Sequence, residues 1–173
     1  MLFRSKLTGR EAKAKEMTAT FGKGLAKIAA SLRDLPQEKR KHVYFEAIHK
    51  QMKTFAPGSI ATFALESAGG INIAADAEQM RETNIAAYGK ERILAKAEQI
   101  DLYLAQNGRM NPVSVDDIVR EPGFSVIKAV RERQVFLVDE EMISRPTLGL
   151  LDGIAFVRSL LYPDYGQEGV ARL

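Results

Sequence analysis

Apolar side chains recur at steps of three and four along the first part of the chain. Within residues 8–33 they make one stripe, formed by Ala14, Met17, Phe21, Leu25, Ile28 and Leu32. The opposite side of this segment is rich in Lys, Arg and Glu. Such spacing is typical of an amphipathic helix that packs against a larger body along one side. The pattern therefore predicts one long helix at the start of the chain.

Short apolar runs alternate with helical patterns through the remainder of the chain. The runs that predict strands or extended pieces are 43–45, 71–74, 100–104 and 135–138. The helices predicted between and after them are 60–68, 89–97, 114–122 and 148–161. The segment 76–87 carries no clear pattern and is interpreted as irregular or weakly helical. Because the connections between strands are too long for hairpins, the alternation favours an α/β domain with a mostly parallel sheet.

Composition narrows the classes of function. The 173 residues are 46% apolar, which is enough for one domain with its own core. A net charge of +3 and a pI near 9.1 leave no dominant field, and the densest basic cluster, residues 39–41, is interpreted as a solvated turn. No nucleic-acid partner is predicted. The absence of cysteine excludes disulfides, thiolate metal sites and iron–sulfur ligation.

Candidate catalytic and cofactor motifs are missing from the sequence. It contains no GxxxxGK[ST], GxGxxG or GxSxG pattern. The neighbouring carboxylates Asp116 and Asp117 point apart on a regular element, so they make no acid–base pair. The two histidines, His42 and His49, are too few for a histidine-rich metal site. We therefore predict no enzyme activity, no resident metal site and no cofactor.

Targeting signals are also absent from this stretch of sequence. No run approaches the about 18 apolar residues of a membrane-spanning helix. The first six residues contain no apolar core of a signal peptide. The chain is thus expected to be cytosolic or to be a piece of something longer.

Polar residues collect in three loops that follow predicted strands, at 46–55, 105–111 and 139–147. In an open parallel sheet these loops share one rim, where ligands usually bind. The rim is positively biased and suits an anionic ligand. Its polar and adaptable side chains are Glu46, His49, Lys53, Gln106, Asn107, Arg109, Met142 and Arg145.

Four stretches occur in an order that is distinctive when taken together. They are LTGREAKAKEM, VYFEAIHKQMKTFAPGSIATFALESAGGINIAAD, YGKERILAKAEQIDLYLAQNG and EPGFSVIKAVRERQVFLVDEEMISRPTLGLLDGIAFVRSLLYP. The ordered set, which spans residues 7–163, resembles the second half of the substrate-binding proteins of ABC importers for iron–siderophore, haem and cobalamin.

The resemblance implies an architecture of two Rossmann-like lobes joined by one long helix. Residues 1–35 would be the inter-lobe helix and residues 36–173 the C-terminal ligand-binding lobe. The N-terminal lobe and the signal peptide would be absent, so a fragment is expected. The protein would capture a ferric siderophore, haem or cobalamin and deliver it to the membrane permease. Its location would be periplasmic or extracellular, associated with the membrane through the transporter.

The resemblance also assigns roles to individual residues. Arg145 in the Ser-Arg-Pro-Thr elbow matches an arginine at the cleft mouth, whereas Gly149 stands where the family often has a second arginine. Glu91 resembles the exposed glutamate that docks on arginines of the permease. With the rim residues above, the predicted ligand-binding set is Glu46, His49, Lys53, Gln106, Asn107 and Arg145.

Two alternatives remain open from the sequence. One is a cytosolic cofactor-binding or enzyme domain of similar α/β architecture, which turnover or a co-purified nucleotide would support. The other is a nucleic-acid-binding or structural module, suggested by the pI, which salt-sensitive retention on DNA would support.

Overall fold

The computed structural model describes residue 6 and residues 9–165 of the chain. Its helices are α1 Glu11–Ser31, α2 Ile60–Ser67, α3 Lys90–Ala95, α4 Val115–Val119, α5 Lys128–Arg131, α6 Glu140–Ile143 and α7 Gly149–Leu161. Its strands are β1 His42–Ile48, β2 Lys53–Phe55, β3 Ile71–Asn72, β4 Glu78–Gln79, β5 Ile85–Ala87, β6 Leu102–Asn107 and β7 Val135–Asp139. Short 3-10 turns cover Gln37–Lys39, His49–Gln51, Ala97–Gln99 and Phe124–Val126.

The long first helix predicted from the apolar stripe is confirmed as α1. Its 21 residues extend about 32 Å at the rise of an α-helix. The stripe is buried at Ile28 and Leu32 and only half-buried towards the start of the helix, at Met17 and Phe21. The C-terminal half of α1 therefore anchors the helix on the domain. Within the described residues, no helix is both long and apolar enough to cross a bilayer.

Over residues 9–165 the sheet has seven strands, in the order β4-β5-β2-β1-β6-β7, with β3 pairing beside the start of β1. The strands β3, β1, β6 and β7 are parallel, as the alternation of strands and helices predicted. β1 lies at the centre because its N-terminal half pairs with β3 and β6, and its C-terminal half pairs with β2 and β6.

The expectation of a mostly parallel sheet is wrong, because β2, β5 and β4 join by antiparallel pairing. The chain leaves β1 through the turn His49–Gln51, passes Met52 in the left-handed conformation and folds back as β2. Methionine rarely adopts this conformation. A hairpin is usually signalled by glycine or asparagine at such a position, and the sequence has neither there. The segment interpreted as irregular, 76–87, contains the second hairpin, β4–β5.

Two buried apolar layers enclose the sheet. One lies between the sheet and α1, α2 and α7, and it includes Val43 and Phe45 of β1. The other lies on the opposite face, where α3, α4 and α5 pack, and it includes Tyr44 and Tyr103. Side chains alternate between the two layers along β1, as the period of a strand requires.

A close approach between α6 and α7 leads to a stability prediction. A methyl group at Gly153 of α7 would collide with the backbone carbonyl of Met142. We expect Gly153→Ala to lower the free energy of unfolding by about 1–3 kcal/mol through overpacking. On the exposed side of α1, Gly22 has nothing within 4 Å of an added methyl. The matched variant Gly22→Ala is expected to raise stability by about 0.5–1 kcal/mol.

Urea unfolding followed by circular dichroism measures both variants. An equal stabilisation by the two alanines would contradict the described packing of α6 on α7.

Candidate functional site

A cleft of about 710 Å³ opens where β1 and β6 end. Its walls come from the carboxyl ends of these strands, the start of α2, the tip of the β4–β5 hairpin and the elbow that follows α6. This is the edge at which open α/β sheets usually bind ligands. The apolar side chains that line it are Ile48, Phe55, Ile60, Ala61, Met80, Ile85, Met110 and Ile143.

Three cationic side chains line the cleft, each from a different element. Lys53 begins β2, Arg81 lies at the tip of the β4–β5 hairpin, and Arg145 begins the elbow. Within the described part of the chain, none of the three side chains has a hydrogen bond or an ion pair. The carboxylate that lines the cleft, Glu140, accepts a hydrogen bond from the Met110 N–H at 3.2 Å. The charge of the cleft is therefore positive.

Gln106 adds a buried hydrogen-bond donor to the cleft wall. The residue is 1% exposed, and its Oε1 accepts a hydrogen bond from the Ser144 hydroxyl at 2.9 Å. Its Nε2 is buried and has no partner. A buried polar group without a partner costs about 1–3 kcal/mol. A ligand oxygen that accepts from this amide would remove that cost.

A second polar cluster lies on the opposite face of the sheet from the cleft. Glu46 of β1 is fully buried, and its Oε2 accepts a hydrogen bond from the Tyr103 hydroxyl. The same oxygen lies 2.9 Å from His49 Nδ1, and Asn111 Nδ2 approaches Oε1 at 3.5 Å. Burying a carboxylate is tolerated when donors surround it in this way.

Asn111 connects this cluster to the cleft. Its Oδ1 accepts from the His49 N–H at 2.9 Å, and its Nδ2 donates to the Gln106 carbonyl at 2.8 Å. One side chain thus ties the turn after β1 to the end of β6. The backbone that carries Gln106 is held in place from behind the sheet.

The charge state of His49 depends on this environment. The hydrogen bond to Glu46 raises the pKa of His49 above its ordinary value, although burial opposes the shift. The carboxylates of Glu121 and Asp117 raise the pKa further. Glu121 lies 3.8 Å from His49 Nε2 and is itself paired with Lys90. Folding therefore favours the imidazolium of His49 more than water does.

The predicted site residues fall into three groups. Lys53, Gln106 and Arg145 line the cleft together. Glu46 and His49 are not on an exposed rim, as the loop positions suggested, but are buried behind the sheet. The remaining residues lie outside the cleft lining, with Asn107, Arg109 and Glu91 exposed and Met142 half-buried.

Sequence reasoning missed the contribution of the β4–β5 hairpin. Its tip brings Met80, Arg81, Thr83 and Asn84 to the cleft. A signal was present, because the run Arg-Glu-Thr-Asn places turn-forming polar residues just before the apolar Ile85. The loop predicted at 139–147 also differs from the structure, because the helical turn α6 separates β7 from the elbow. Pro146 and Thr147 of the elbow line a separate groove against α1.

Residues 5–142 match the model of the periplasmic binding protein family. The chain belongs to this family. The family consists of binding proteins, which confirms the prediction of a non-catalytic chain. Among curated proteins, none is significantly similar to the chain in sequence.

Solved structures of periplasmic binding proteins share the fold. An ABC-type Fe3+-hydroxamate transport protein of Saccharomonospora viridis aligns with a TM-score of 0.73 at 21% identity, over 92% of this chain and 52% of that one. The Helicobacter pylori protein Ceue with Ni(II) bound aligns with a TM-score of 0.74 at 19% identity, over 97% and 51% of the two chains.

A possible iron-binding (periplasmic solute-binding) protein of Staphylococcus epidermidis aligns with a TM-score of 0.77 at 23% identity, over 93% of this chain and 59% of that one. The chain therefore spans only about half to three-fifths of the length of these three proteins. At sequence identities of 19–23%, the similarity to these three structures shows a shared fold and nothing more.

The buried pair of His49 and Glu46 predicts a pH dependence of stability. Because folding raises the pKa of His49, its contribution is fully present below the ordinary histidine value of about 6.5. The contribution is lost as the pH rises through the pKa of the folded state. Urea unfolding at pH about 5.5 and about 8.5 measures this difference for the wild type and for His49→Gln.

We expect His49→Gln to destabilise more at the lower pH than at the higher one. His42, the other histidine of the chain, is exposed, and His42→Gln serves as the matched control. An equal loss at both pH values for His49→Gln would contradict the prediction.

Proposed function

We propose that this chain is the ligand-binding portion of an ABC importer's solute-binding protein, and that its cargo is an anionic, oxygen-rich metal chelate. The observation that carries the proposal is the cleft. Three cations without partners among the described residues, Lys53, Arg81 and Arg145, line this cleft together with Gln106, whose amide donor is buried. Acceptor oxygens on the ligand would satisfy all four groups.

The chemistry of the lining favours a ligand with both charge and apolar surface. Charge-assisted hydrogen bonds to Arg and Lys are stronger than neutral ones. The aliphatic side chains and Phe55 would pack against the organic frame of a chelator, while the cations meet its oxygens. A small, fully hydrated oxyanion would leave much of a 710 Å³ cleft unused.

The comparisons support iron among the candidate cargoes. Two of the structures with the same fold are of proteins described by Fe3+-hydroxamate or iron, and a third contains Ni(II). These names favour a ferric siderophore over cobalamin. No cluster of three metal-binding side chains occurs among residues 6 and 9–165. In this proposal the metal therefore arrives already chelated, as cargo.

The length of the matched structures supports a two-lobe organisation. In this proposal α1 is the inter-lobe helix and residues 36–165 belong to one lobe, with the other half of the cleft supplied by a second lobe. Residues 166–173, which the predicted lobe of 36–173 includes, lie outside the described residues. The whole protein would work in the periplasm or outside the cell, next to the membrane permease. The half-buried Met17 and Phe21 of α1 are consistent with a further contact on this helix.

Glu91 is the proposed contact with the permease. It lies in the first turn of α3, is exposed and has no hydrogen bond or ion pair among the described residues. A carboxylate is also favourable at a helix start through the helix dipole. A role of Glu91 in docking on the permease and a role only in stabilising α3 predict different effects of a Glu91 substitution.

Binding of the iron(III) tris-catecholate complex tests the cleft. We expect Lys53→Gln and Arg145→Gln each to weaken binding by about tenfold or more, since a hydrogen bond to a charged group contributes about 1.5–3 kcal/mol. Equilibrium dialysis with iron analysis gives the Kd. Lys50→Gln is the matched control, because Lys50 is exposed and does not line the cleft.

Unchanged affinity in both cleft variants would contradict the proposed site.

We also expect this chain alone to bind weakly, with a Kd above about 1 μM, because half of the cleft would be missing. Tight sub-micromolar binding would contradict the two-lobe arrangement.

Substitution of Glu91 separates docking from ligand capture. In the native protein with its permease, Glu91→Gln is expected to reduce uptake of the chelate while the Kd for the chelate stays unchanged. The exposed Glu132 provides the control variant Glu132→Gln. Normal uptake by Glu91→Gln would remove the docking role.

A further inference from the structure

A basic cluster lies at the opposite end of the sheet from the cleft, where the central strands begin. Lys39, Arg40 and Lys41 run from the end of a 3-10 turn to the residue before β1. Lys39 and Lys41 are exposed, as in the solvated turn that the sequence predicts, but Arg40 is half-buried. Solvation by water therefore accounts for only part of this cluster.

The guanidinium of Arg40 contains a buried donor without an acceptor. Its Nε is shielded from solvent and has no hydrogen-bond partner, and the side chain forms no ion pair within the part of the chain that the structure describes. Such donors are rare in folded proteins, because the cost of removing them from water is not compensated. The unpaired Nε points to a ligand oxygen at this position.

A cavity of about 510 Å³ adjoins the cluster. Arg40 and both lysines line it together with Leu35, Tyr162 and Tyr165. Burial raises the pKa of the Tyr162 hydroxyl, whereas the hydrogen bond from the Lys41 N–H and the positive charge of Arg40 act against this rise. The Arg40 guanidinium is therefore close enough to the Tyr162 hydroxyl to affect it electrostatically.

The charges that line this cavity are mostly positive. Its carboxylates are Glu38 and Asp101. Asp101 is already engaged, since its Oδ1 accepts from Lys128 Nζ at 2.7 Å and its Oδ2 accepts from the His42 N–H at 2.8 Å. Glu38 offsets one of the three cations of the cluster, so two positive charges remain in excess when His42 is neutral.

Hydrogen bonds hold the walls of the cavity in place. The Lys41 N–H donates to the Tyr162 hydroxyl at 3.1 Å, and this hydroxyl donates to the Gly69 carbonyl at 2.8 Å. The Tyr165 hydroxyl donates to the Asp34 carbonyl at 2.8 Å. These bonds tie the segment before β1 to the residues after α7. Groups that are already in place lose little entropy when a ligand binds.

We propose that this cavity is a second binding site, separate from the cleft, and that its ligand is a phosphate monoester. A phosphate monoester carries close to two negative charges at neutral pH, which matches the excess positive charge. The planar guanidinium of Arg40 suits two phosphate oxygens at once, and the lysines act as point charges. The cavity is larger than a phosphate group, so Leu35, Tyr162 and Tyr165 can pack against the organic part of the ligand. The inference does not depend on the proposed function of the cleft.

Titration of the wild-type chain with phenyl phosphate, followed by NMR, tests the site. The Arg40 Nε–H signal is assigned by its loss in Arg40→Lys. We expect this signal to shift saturably with a Kd below about 1 mM, because a phosphate oxygen accepts from this donor. Phenyl sulfate has a similar shape but a single negative charge, and it is expected to bind more weakly.

Substitution of Arg40 measures its share of the binding, through the backbone amide signals of Lys41 and His42. Arg40→Gln is expected to weaken binding of phenyl phosphate by about tenfold or more. Arg40→Lys keeps the charge but not the planar fork, and it is expected to weaken binding by less. Lys15→Gln removes an exposed cation of α1 that does not line the cavity, and it is expected to leave the Kd unchanged. Should Arg40→Gln fail to fold, the wild-type titration and Arg40→Lys still decide.

The possible results either support or overturn the inference. An Arg40 Nε–H signal that stays in place, or that shifts without saturating, would overturn the site. Equal affinity for phenyl phosphate and phenyl sulfate would overturn the ligand class. Sedimentation with vesicles that contain phosphatidic acid, reduced in Arg40→Gln, would support a phosphate monoester carried by a lipid. Binding of phenyl phosphate without such sedimentation would support a soluble one.

Discussion

A buried carboxylate, Glu46, is the constraint on which the ligand-facing end of this domain depends. Its Oε2 is held by Tyr103 from β6 and by His49 from the turn after β1. The register of β1 against β2 shifts just after Glu46, so the chain leaves the parallel sheet there and returns as an antiparallel strand. That return places Lys53 at the cleft. The polar network behind the sheet therefore determines which side chains appear in front of it.

The cleft combines unsatisfied groups with a rigid frame. Cations from β2, the β4–β5 hairpin and the elbow converge on one space, and each is carried by an element that is hydrogen-bonded or packed elsewhere. Gln106 is fixed through Asn111 and Ser144, which leaves its Nε2 ready to donate. Such preorganisation is what a binding protein needs, because groups already in place lose little entropy when the ligand arrives.

Much of the fold was predictable where one local pattern dominated. The stripe along α1 recurs at steps of three and four, and β6 and β7 are continuous apolar runs. The side chains of Ser59 and Ser114, residue types that favour helix starts, cap α2 and α4. The antiparallel strands were not predictable in this way. Met52 and Arg81 turn the chain in the left-handed conformation without glycine, and strands of two or three residues carry too few positions for a period to show.

For the candidate site, residue type and loop position together were enough to single out Lys53, Gln106 and Arg145. The same reasoning placed Glu46 and His49 beside them, although alternation along β1 turns Glu46 to the other face. By itself, the sequence determined the long helix, the α/β class, the lack of thiol chemistry and the ordered motifs of a periplasmic binding protein. Only the tertiary structure decided which polar side chains meet, because that depends on a register shift and two hairpins whose pairing partners are distant along the chain.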